Sequence, residues 1–168
     1  MNSMKNNFYL KDLNNDAKYF LAGFLISLAV GIAIGLFYVY LTTDMTPVGV
    51  NEQFRGSEII EYNEIPNKFP KPLENMVLTT HNHILSFSMI TLLIGVIFYF
   101  SSIIKNKFKT ILIIEPFVSS ILMFTSLWLM KYLYSSFVYL MILSAICTYL
   151  CWYIMIIISV YELLMSTD

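Results

Sequence analysis

Four long apolar stretches decide what this chain can fold into. They cover about residues 19–41, 77–104, 110–133 and 137–164, and the charged residues within them are Glu115, Lys131 and Glu162. Crossing about 30 Å of hydrocarbon takes roughly 20 apolar residues of α-helix, which each stretch provides. Inside a bilayer the backbone must satisfy its own hydrogen bonds, and a helix does so within one segment. The pattern predicts an all-α membrane protein with four transmembrane helices, called spans one to four.

The composition agrees with a membrane protein and excludes two kinds of function. Hydrophobic residues make up 58% of the chain and charged residues 12%, against about 45–50% and about 25% in soluble domains. The net charge is −1 and there is no basic patch, so nucleic-acid binding is not expected. Cys147 and Cys151 are interpreted as buried apolar side chains in span four. The sequence contains no CxxCH, so no covalent c-type haem is expected.

Lysines beside the spans predict the orientation. The turn between spans two and three carries three lysines, and residues 1–18 carry three more. By the positive-inside rule both termini, residues 1–18 and 165–168, face the cytoplasm of a bacterial inner membrane. The connection of residues 42–76 then faces outward into the periplasm. Short turns between spans two, three and four favour an up-down-up-down bundle.

The connection of residues 42–76 is predicted to be irregular and water-facing. It contains the acidic run Glu58, Glu61 and Glu64, and the prolines Pro47, Pro66, Pro70 and Pro72. Such prolines interrupt regular structure.

Span one carries a small residue at every fourth position: Gly23, Ser27, Gly31 and Gly35. In lipid, such a stripe lets another helix approach closely. Helix packing is the preferred interpretation, and a flat face for a porphyrin or quinone ring is the alternative.

Span two opens on LTTHNHILSFS, which holds both histidines of the chain, His81 and His83. On a regular helix their side chains point about 200° apart, so they can share one metal ion only in an extended or frayed turn. Alternatively, one histidine ligates a haem iron while the other faces the boundary. A structural alternative is that both are interfacial side chains held by hydrogen bonds and headgroups. The pair predicts a functional site at the outer membrane boundary.

The predicted topology brings further polar side chains to the same outer face. Span three ends there with Trp128 and Lys131, and the connection contributes Arg55 and Glu74. Cations and imidazoles at this level suit haem propionates, a quinone carbonyl or a copper ion. The candidate cofactor-binding residues are His81, His83, Lys131, Trp128 and Arg55, and the candidate metal ligands are His81 and His83. No catalytic residue is assigned.

Glu115 is a candidate for a proton path, because ionisable groups within spans usually serve proton, ion or cofactor chemistry. It precedes Pro116, and proline is favoured in the first turn of a helix, so Glu115 is predicted near the beginning of span three. The structural alternative is a carboxylate that interacts with the positive end of the helix dipole.

These motifs resemble those of a family of bacterial inner-membrane proteins with four spans. The shared motifs are a glycine-rich first span (GFLISLAVGIAIGLFYVYLT), the His-x-His segment THNHILSF, a Trp-x-x-Lys motif and Tyr161-Glu162-Leu163 near the end. Longer members carry a c-type cytochrome segment with CxxCH between the first two spans, which the connection here lacks. The resemblance implies an electron-transfer role. It carries over His81, His83, Trp128, Lys131 and Glu162, without a role for any of them.

Residues and resemblance together favour a membrane component of a respiratory or quinol-linked electron-transfer chain. Haem b, a quinol or a metal is expected near His81 and His83, and the redox partner is a periplasmic protein or another membrane subunit. In a haem site the second axial ligand is expected from Met76, Met130, Lys131 or a second subunit. One alternative is a cofactor-free accessory subunit that assembles a larger membrane complex. A copper-handling protein is the weaker alternative, because the methionines form no Met-x-x-Met cluster.

Overall fold

The computed structural model describes residues 8–57 and 65–165, and these residues form helices and no strand. Five α-helices follow in order: α1 (Asn15–Thr43), α2 (Pro47–Arg55), α3 (Leu73–Tyr99), α4 (Asn106–Tyr132) and α5 (Phe137–Met165). A single 3-10 turn, Leu10–Asp12, precedes them. All except α2 are long and apolar enough to cross a membrane, which confirms the all-α fold with four spans. Glu58, Glu61 and Glu64 lie outside the described residues.

The connection between α1 and α3 contains a helix, and the prediction that it is irregular is wrong for Pro47–Arg55. Pro47 is the first residue of α2. Thr46 caps this helix, because its Oγ1 accepts a hydrogen bond from the Gly49 backbone N–H at 3.0 Å. Proline is favoured at a first helical position, where the missing N–H has no helical partner to lose. Pro47 therefore starts a helix instead of interrupting one.

Backbone hydrogen bonds show which helix ends lie together. The Leu10 N–H donates to the Phe100 carbonyl at 2.9 Å, so the start of α1 lies beside the end of α3. The Ser102 N–H donates to the Glu162 carboxylate at 2.8 Å, which brings the end of α5 to the same place. At the opposite end of the bundle α2 packs against α4 and α5. That end, which carries residues 44–72, is called the connection end below. Consecutive spans therefore run antiparallel.

The helix α5 is the centre of the bundle. It packs against α1, α3 and α4, and its packing against α4 is the most extensive among the described helices. Hydroxyl side chains line this contact: Ser119 and Thr148 share a hydrogen bond of 2.6 Å, and Thr148 donates to the Ser144 carbonyl at 3.0 Å. Small side chains allow close approach of two helices in lipid. Their hydroxyls hydrogen-bond to each other where no water is present.

The helix α1 lies at the edge of the bundle and buries a different face from the one predicted. Leu25 and Ile32 belong to its buried face. The stripe of small residues, Gly23, Ser27, Gly31 and Gly35, is exposed. A Cβ added at any of the three glycines would meet nothing within 4 Å. Helix packing against this stripe is therefore not made within the part of the chain that the structure describes.

A buried carboxylate closes the end of the bundle opposite the connection end. Glu162, in the last turn of α5, is 0% exposed. Its carboxylate accepts hydrogen bonds from Ser101 Oγ at 2.5 Å and from the Ser102 backbone N–H at 2.8 Å. Lys109 Nζ donates to the Ser101 carbonyl at 2.7 Å. Glu162, which the resemblance carried over without a role, thus holds the α3–α4 turn against α5.

Glu162→Ala is expected to lower the free energy of unfolding by about 3 kcal/mol, because it leaves buried donors of the α3–α4 turn without an acceptor. Glu162→Gln keeps one acceptor oxygen and is expected to cost about 1.5 kcal/mol. Glu74→Ala is the control, because Glu74 is exposed in the first turn of α3, and it should change stability by less than about 0.5 kcal/mol. Equilibrium unfolding in detergent measures all three variants. Equal losses for Glu162→Ala and Glu74→Ala would contradict the role assigned to Glu162.

Candidate functional site

His81 and His83 lie on a regular stretch of α3. The helix begins at Leu73, eight residues before His81, and continues to Tyr99. The two histidines are therefore not in an extended or frayed first turn, and their side chains point about 200° apart around the helix axis. Both are exposed. This geometry does not bring the two imidazoles to one metal ion.

His83 has a fixed ring with one free nitrogen. Its Nδ1 donates a hydrogen bond to the Thr79 backbone carbonyl at 2.8 Å; the direction follows because a carbonyl oxygen only accepts. In the neutral ring, the proton on Nδ1 leaves Nε2 with a lone pair. The ring packs against Phe87 and Phe124 at centroid distances of 5.9 and 5.7 Å. A carbonyl partner on the far nitrogen is also the usual arrangement of histidines that ligate metals.

Trp128 lies beside the histidine segment and fixes α4 against α3. Its Nε1 donates a hydrogen bond to Thr80 Oγ1 at 2.8 Å. Its ring stacks on Tyr132 with a centroid distance of 5.6 Å. Since the indole N–H is already satisfied by Thr80, Trp128 acts as a packing residue next to the site.

Lys131 and Arg55 lie together, and their hydrogen bonds join the connection to the end of α4. Lys131 Nζ donates to the backbone carbonyls of Phe54 at 2.6 Å and Lys71 at 2.5 Å. One guanidinium nitrogen of Arg55 donates to the Met130 carbonyl at 2.8 Å. These bonds tie α2, and the residues before α3, to the end of α4.

The candidate residues at the connection end therefore form two separate groups. The Trp128–Thr80 hydrogen bond places these two residues at one level of the bundle. Because α3 and α4 are antiparallel, Lys131 lies about one turn toward the connection end and His83 about one turn away from it. At 1.5 Å per residue, Lys131 and His83 are separated by about 9 Å along the bundle axis. Lys131 and Arg55 belong with Lys71, and the histidines lie deeper.

Glu115 lies within α4 and not at its beginning. The helix starts at Asn106 and contains Pro116, so the prediction that Pro116 marks the helix start is wrong. Glu115 is about 13 Å along the axis from Asn106. Proline is tolerated inside membrane helices because neighbouring groups satisfy the freed carbonyl. The Glu115 Oε2 is buried without a hydrogen-bond partner among the described residues, and the Cys151 side chain is close enough to interact with this carboxyl group.

An apolar groove of about 300 Å³ lies between α3 and α4, on the side of His83 away from the connection end. It is lined by Thr91, Leu92, Gly95, Val96, Tyr99, Phe100, Ile113 and Phe117, and none of the candidate residues is among them. The Thr91 hydroxyl is already engaged, because it accepts a hydrogen bond from Trp152 Nε1 at 3.0 Å. The groove therefore offers an apolar surface to acyl chains.

Three further residues contact the candidate residues and were not predicted to do so from the sequence: Thr79, Phe124 and Lys71. Thr79 precedes His83 by four residues. On a helix this spacing could have identified the Thr79 carbonyl as the partner of the His83 ring. Phe124 reaches His83 from α4, which depends on the register between two helices. Lys71 lies beside Lys131 because of the path that the connection takes between α2 and α3. Neither of these contacts has a local sequence pattern.

The residues around His83 fit an imidazole ligand and not a complete cofactor site. Within residues 8–57 and 65–165, no three His, Cys, Asp or Glu side chains are grouped as metal ligands. Met76 and Met130, two of the expected second axial ligands, are each 0% exposed. Lys131, the third, is hydrogen-bonded to two carbonyls. A haem at His83 would take its second ligand from another subunit.

A family model matches most of the chain. The Aq_1264_TM model, described as a transmembrane helical domain, matches residues 44–168, which begin directly after α1 and include α2 to α5. No curated protein and no solved structure matches the chain. The match supports a multi-pass membrane protein in contact with the lipid bilayer.

Lys131→Met is expected to release the connection from the end of α4, because the ammonium group donates to two of its carbonyls. Trypsin cleavage after Arg55 and Lys68, followed by mass spectrometry in nanodiscs, should become about tenfold faster. Lys107→Met removes an exposed lysine at the other end of the bundle and should leave these cleavage rates unchanged. Equal rates in wild type and Lys131→Met would show that the two hydrogen bonds do not hold the connection.

A hydrophobic carbodiimide, which reacts with protonated carboxyl groups in apolar surroundings, is expected to modify Glu115 and to leave Glu162 unmodified. Glu115 has a buried oxygen without a partner, whereas the oxygens of Glu162 accept hydrogen bonds from the α3–α4 turn. Peptide mass spectrometry locates the adduct, and Glu115→Gln should abolish it. An adduct that survives in Glu115→Gln would argue against Glu115 as the reactive carboxyl group.

Proposed function

The chain belongs to the Aq_1264_TM family of transmembrane helical domains, and we propose that it is a membrane component of a quinol-linked electron-transfer chain in which His83 binds the quinol. The observation that carries this proposal is the hydrogen bond from His83 Nδ1 to the Thr79 carbonyl. It holds the ring in the tautomer whose Nε2 accepts a proton. A single accepting nitrogen on a membrane-facing helix suits a quinol hydroxyl group.

The chemistry of quinol oxidation needs a proton acceptor at this position. Oxidation of a quinol to a quinone releases two electrons and two protons. His83 Nε2 would accept the first proton from the quinol hydroxyl, since this nitrogen carries the lone pair of the neutral ring. The second proton goes to water at the membrane boundary, and the electrons go to a redox partner protein. His83 would then lose its proton to water before the next quinol binds.

The position of His83 along α3 supports a ligand that arrives through the bilayer. The residues before it, LTTHN, are partly polar, and an apolar run begins at Ile84. The imidazole therefore lies at the rim of the hydrocarbon, where quinol headgroups reside. Phe87 and Phe124, which are both buried, pack beside the ring and hold the imidazole in place for such a ligand.

Localisation and partners follow from the lysines in the sequence. In the proposed orientation the connection end faces the periplasm and the chain lies in a bacterial inner membrane. The redox partner is then a periplasmic electron-transfer protein or another subunit of the same complex.

Haem b at His83 is the other form of the same proposal. The Thr79 carbonyl would orient the imidazole as an axial ligand, and bound haem would supply one-electron chemistry. The second axial ligand of a haem has to come from another subunit, whereas a quinol needs only the His83 imidazole of this chain. A visible absorption spectrum with a Soret band would favour haem. Copper has less support, because His81 and His83 diverge.

A second candidate function is a cofactor-free accessory subunit of a larger membrane complex. One observation favours it: the small-residue stripe of α1 is exposed, and a Cβ at its glycines would meet nothing within 4 Å. A helix of another subunit is suited to such a face.

His83→Gln is expected to weaken quinol binding about three- to tenfold, which corresponds to the loss of one hydrogen bond. The readout is quenching of tryptophan fluorescence by a soluble quinol analogue that keeps the hydroxyl group, since Trp128 is hydrogen-bonded to Thr80, one turn from His83. His81→Gln is the matched control, because His81 is exposed on the same helix but points elsewhere, and its affinity should equal that of wild type.

Two outcomes would reject the quinol site. The first is equal affinity of His83→Gln and wild type for the quinol analogue. The second is a wild-type protein that neither binds the analogue nor shows a Soret band, in which case the accessory-subunit function replaces electron transfer.

A further inference from the structure

The connection end of the bundle gathers three cations: Arg55, Lys71 and Lys131. Lys71 and Arg55 are close enough to Lys131 for their charges to repel its ammonium group. Among the described residues, none of the three has a carboxylate within the 4.0 Å of an ion pair. Lys71 and Lys131 are partly buried, whereas Arg55 is exposed. Like charges held together are unfavourable unless an anion lies near them.

Nearby helix ends neutralise only part of this charge. Phe54 and Met130 lie at the ends of α2 and α4, and their carbonyls accept hydrogen bonds from Lys131 and Arg55. Each helix C-terminus contributes about half a negative elementary charge. Two such ends offset about one of three positive charges, so the group keeps a net charge of about +2.

Donors remain free after these contacts. Among the described residues Arg55 makes one hydrogen bond, although a guanidinium carries five donors. Lys131 uses two of its three donors on carbonyls. The Lys71 ammonium lies 4.6 Å from the centroid of the Phe54 ring, a contact that engages the ring face and no acceptor oxygen. The group is therefore able to donate several hydrogen bonds to one anion.

The surroundings of Lys71 favour an anion next to its ammonium group. Burial lowers the pKa of Lys71, because desolvation disfavours its charged form. An anion in contact would offset that effect and keep the ammonium charged. Among the described residues the Lys71 ammonium contacts the face of the Phe54 ring and no helix-end carbonyl, so its three donors are available to such an anion.

We propose that Arg55, Lys71 and Lys131 bind the phosphate group of an anionic phospholipid at the connection end. Lys131 is in the last turn of α4, next to Tyr132 and close to Trp128. Tryptophan and tyrosine at a helix end mark the headgroup level of a bilayer. Phosphate is the anion present at that level, and a guanidinium with two ammonium groups matches its oxygens. The site is independent of His83, which lies about 9 Å deeper.

The test is the binding of phosphatidylglycerol and phosphatidylcholine to the full chain in detergent, measured by native mass spectrometry. Wild type should prefer phosphatidylglycerol. Lys71→Gln should weaken that binding about fivefold, the usual effect of one cation near anionic lipid, and Lys71→Arg should retain it. Lys107→Gln removes one exposed lysine at the opposite end of the bundle and should have no effect. Far-UV circular dichroism and gel filtration confirm that each variant is folded.

Three outcomes would overturn the proposal. One is equal binding of both lipids by wild type, which would also follow if Glu58, Glu61 and Glu64 occupied the cations. Another is equal phosphatidylglycerol binding by Lys71→Gln and wild type. The last is complete displacement of the lipid by inorganic phosphate, which would assign the site to a free anion. Binding of the quinol analogue should be unchanged in Lys71→Gln. The lipid site and the His83 site are therefore tested separately.

Discussion

The exclusion of water from the bilayer interior is the constraint on which this structure depends. A hydroxyl or carboxyl group that loses water must find a partner in the protein or remain costly. The contact between α4 and α5 meets this demand with Ser119 and Thr148, which hydrogen-bond to each other. Glu162 meets it with donors from the α3–α4 turn. Glu115, Ser126 and Ser159 are exceptions among the described residues of the spans, since each has a buried oxygen without a partner. Glu115 is the one of these three that can ionise, which makes it a candidate for chemistry.

Polar contacts at the connection end fix the positions of α3 and α4 along the bundle axis. Lys131 ties the carbonyls of Phe54 and Lys71 to the end of α4, which fixes where α3 begins. The Trp128–Thr80 hydrogen bond then fixes the register of α3 against α4. That register decides which side chains surround the His83 ring.

The length of the four apolar stretches made the fold predictable, whereas the contacts between helices could not be predicted. Twenty or more apolar residues in a row have one stable form in lipid, so all four spans could be read from the sequence. Proline was the main source of error. Pro47 starts α2 and Pro116 lies inside α4, and the residue type alone does not distinguish these positions from a helix break. The stripe from Gly23 to Gly35 showed that a small-residue face exists, but not which helix it meets.

The candidate site was predictable in its location and not in its composition. The segment around His81 and His83 stood out because both histidines lie where polar residues give way to apolar ones. Joining Lys131 and Arg55 to them required side chains to point along the bundle axis toward each other. The carbonyls at the ends of α2 and α4 attract those cations more strongly, because they are closer and poorly hydrated. Helix ends are therefore competitors for any cation that a sequence places near a membrane boundary.

The same competition explains why His83 and Lys71 are suited to bind ligands and Trp128 is not. A side chain can receive a ligand only if the protein has oriented it without using all its donors and lone pairs. His83 meets this condition, because Thr79 engages Nδ1 and leaves Nε2. Lys71 meets it too, since its ammonium contacts only the face of Phe54. Trp128 does not meet it, because its only donor is already hydrogen-bonded to Thr80. Both proposed sites open toward the membrane, so their ligands are expected to be membrane components: a quinol at the rim of the hydrocarbon and a phosphate at the headgroups.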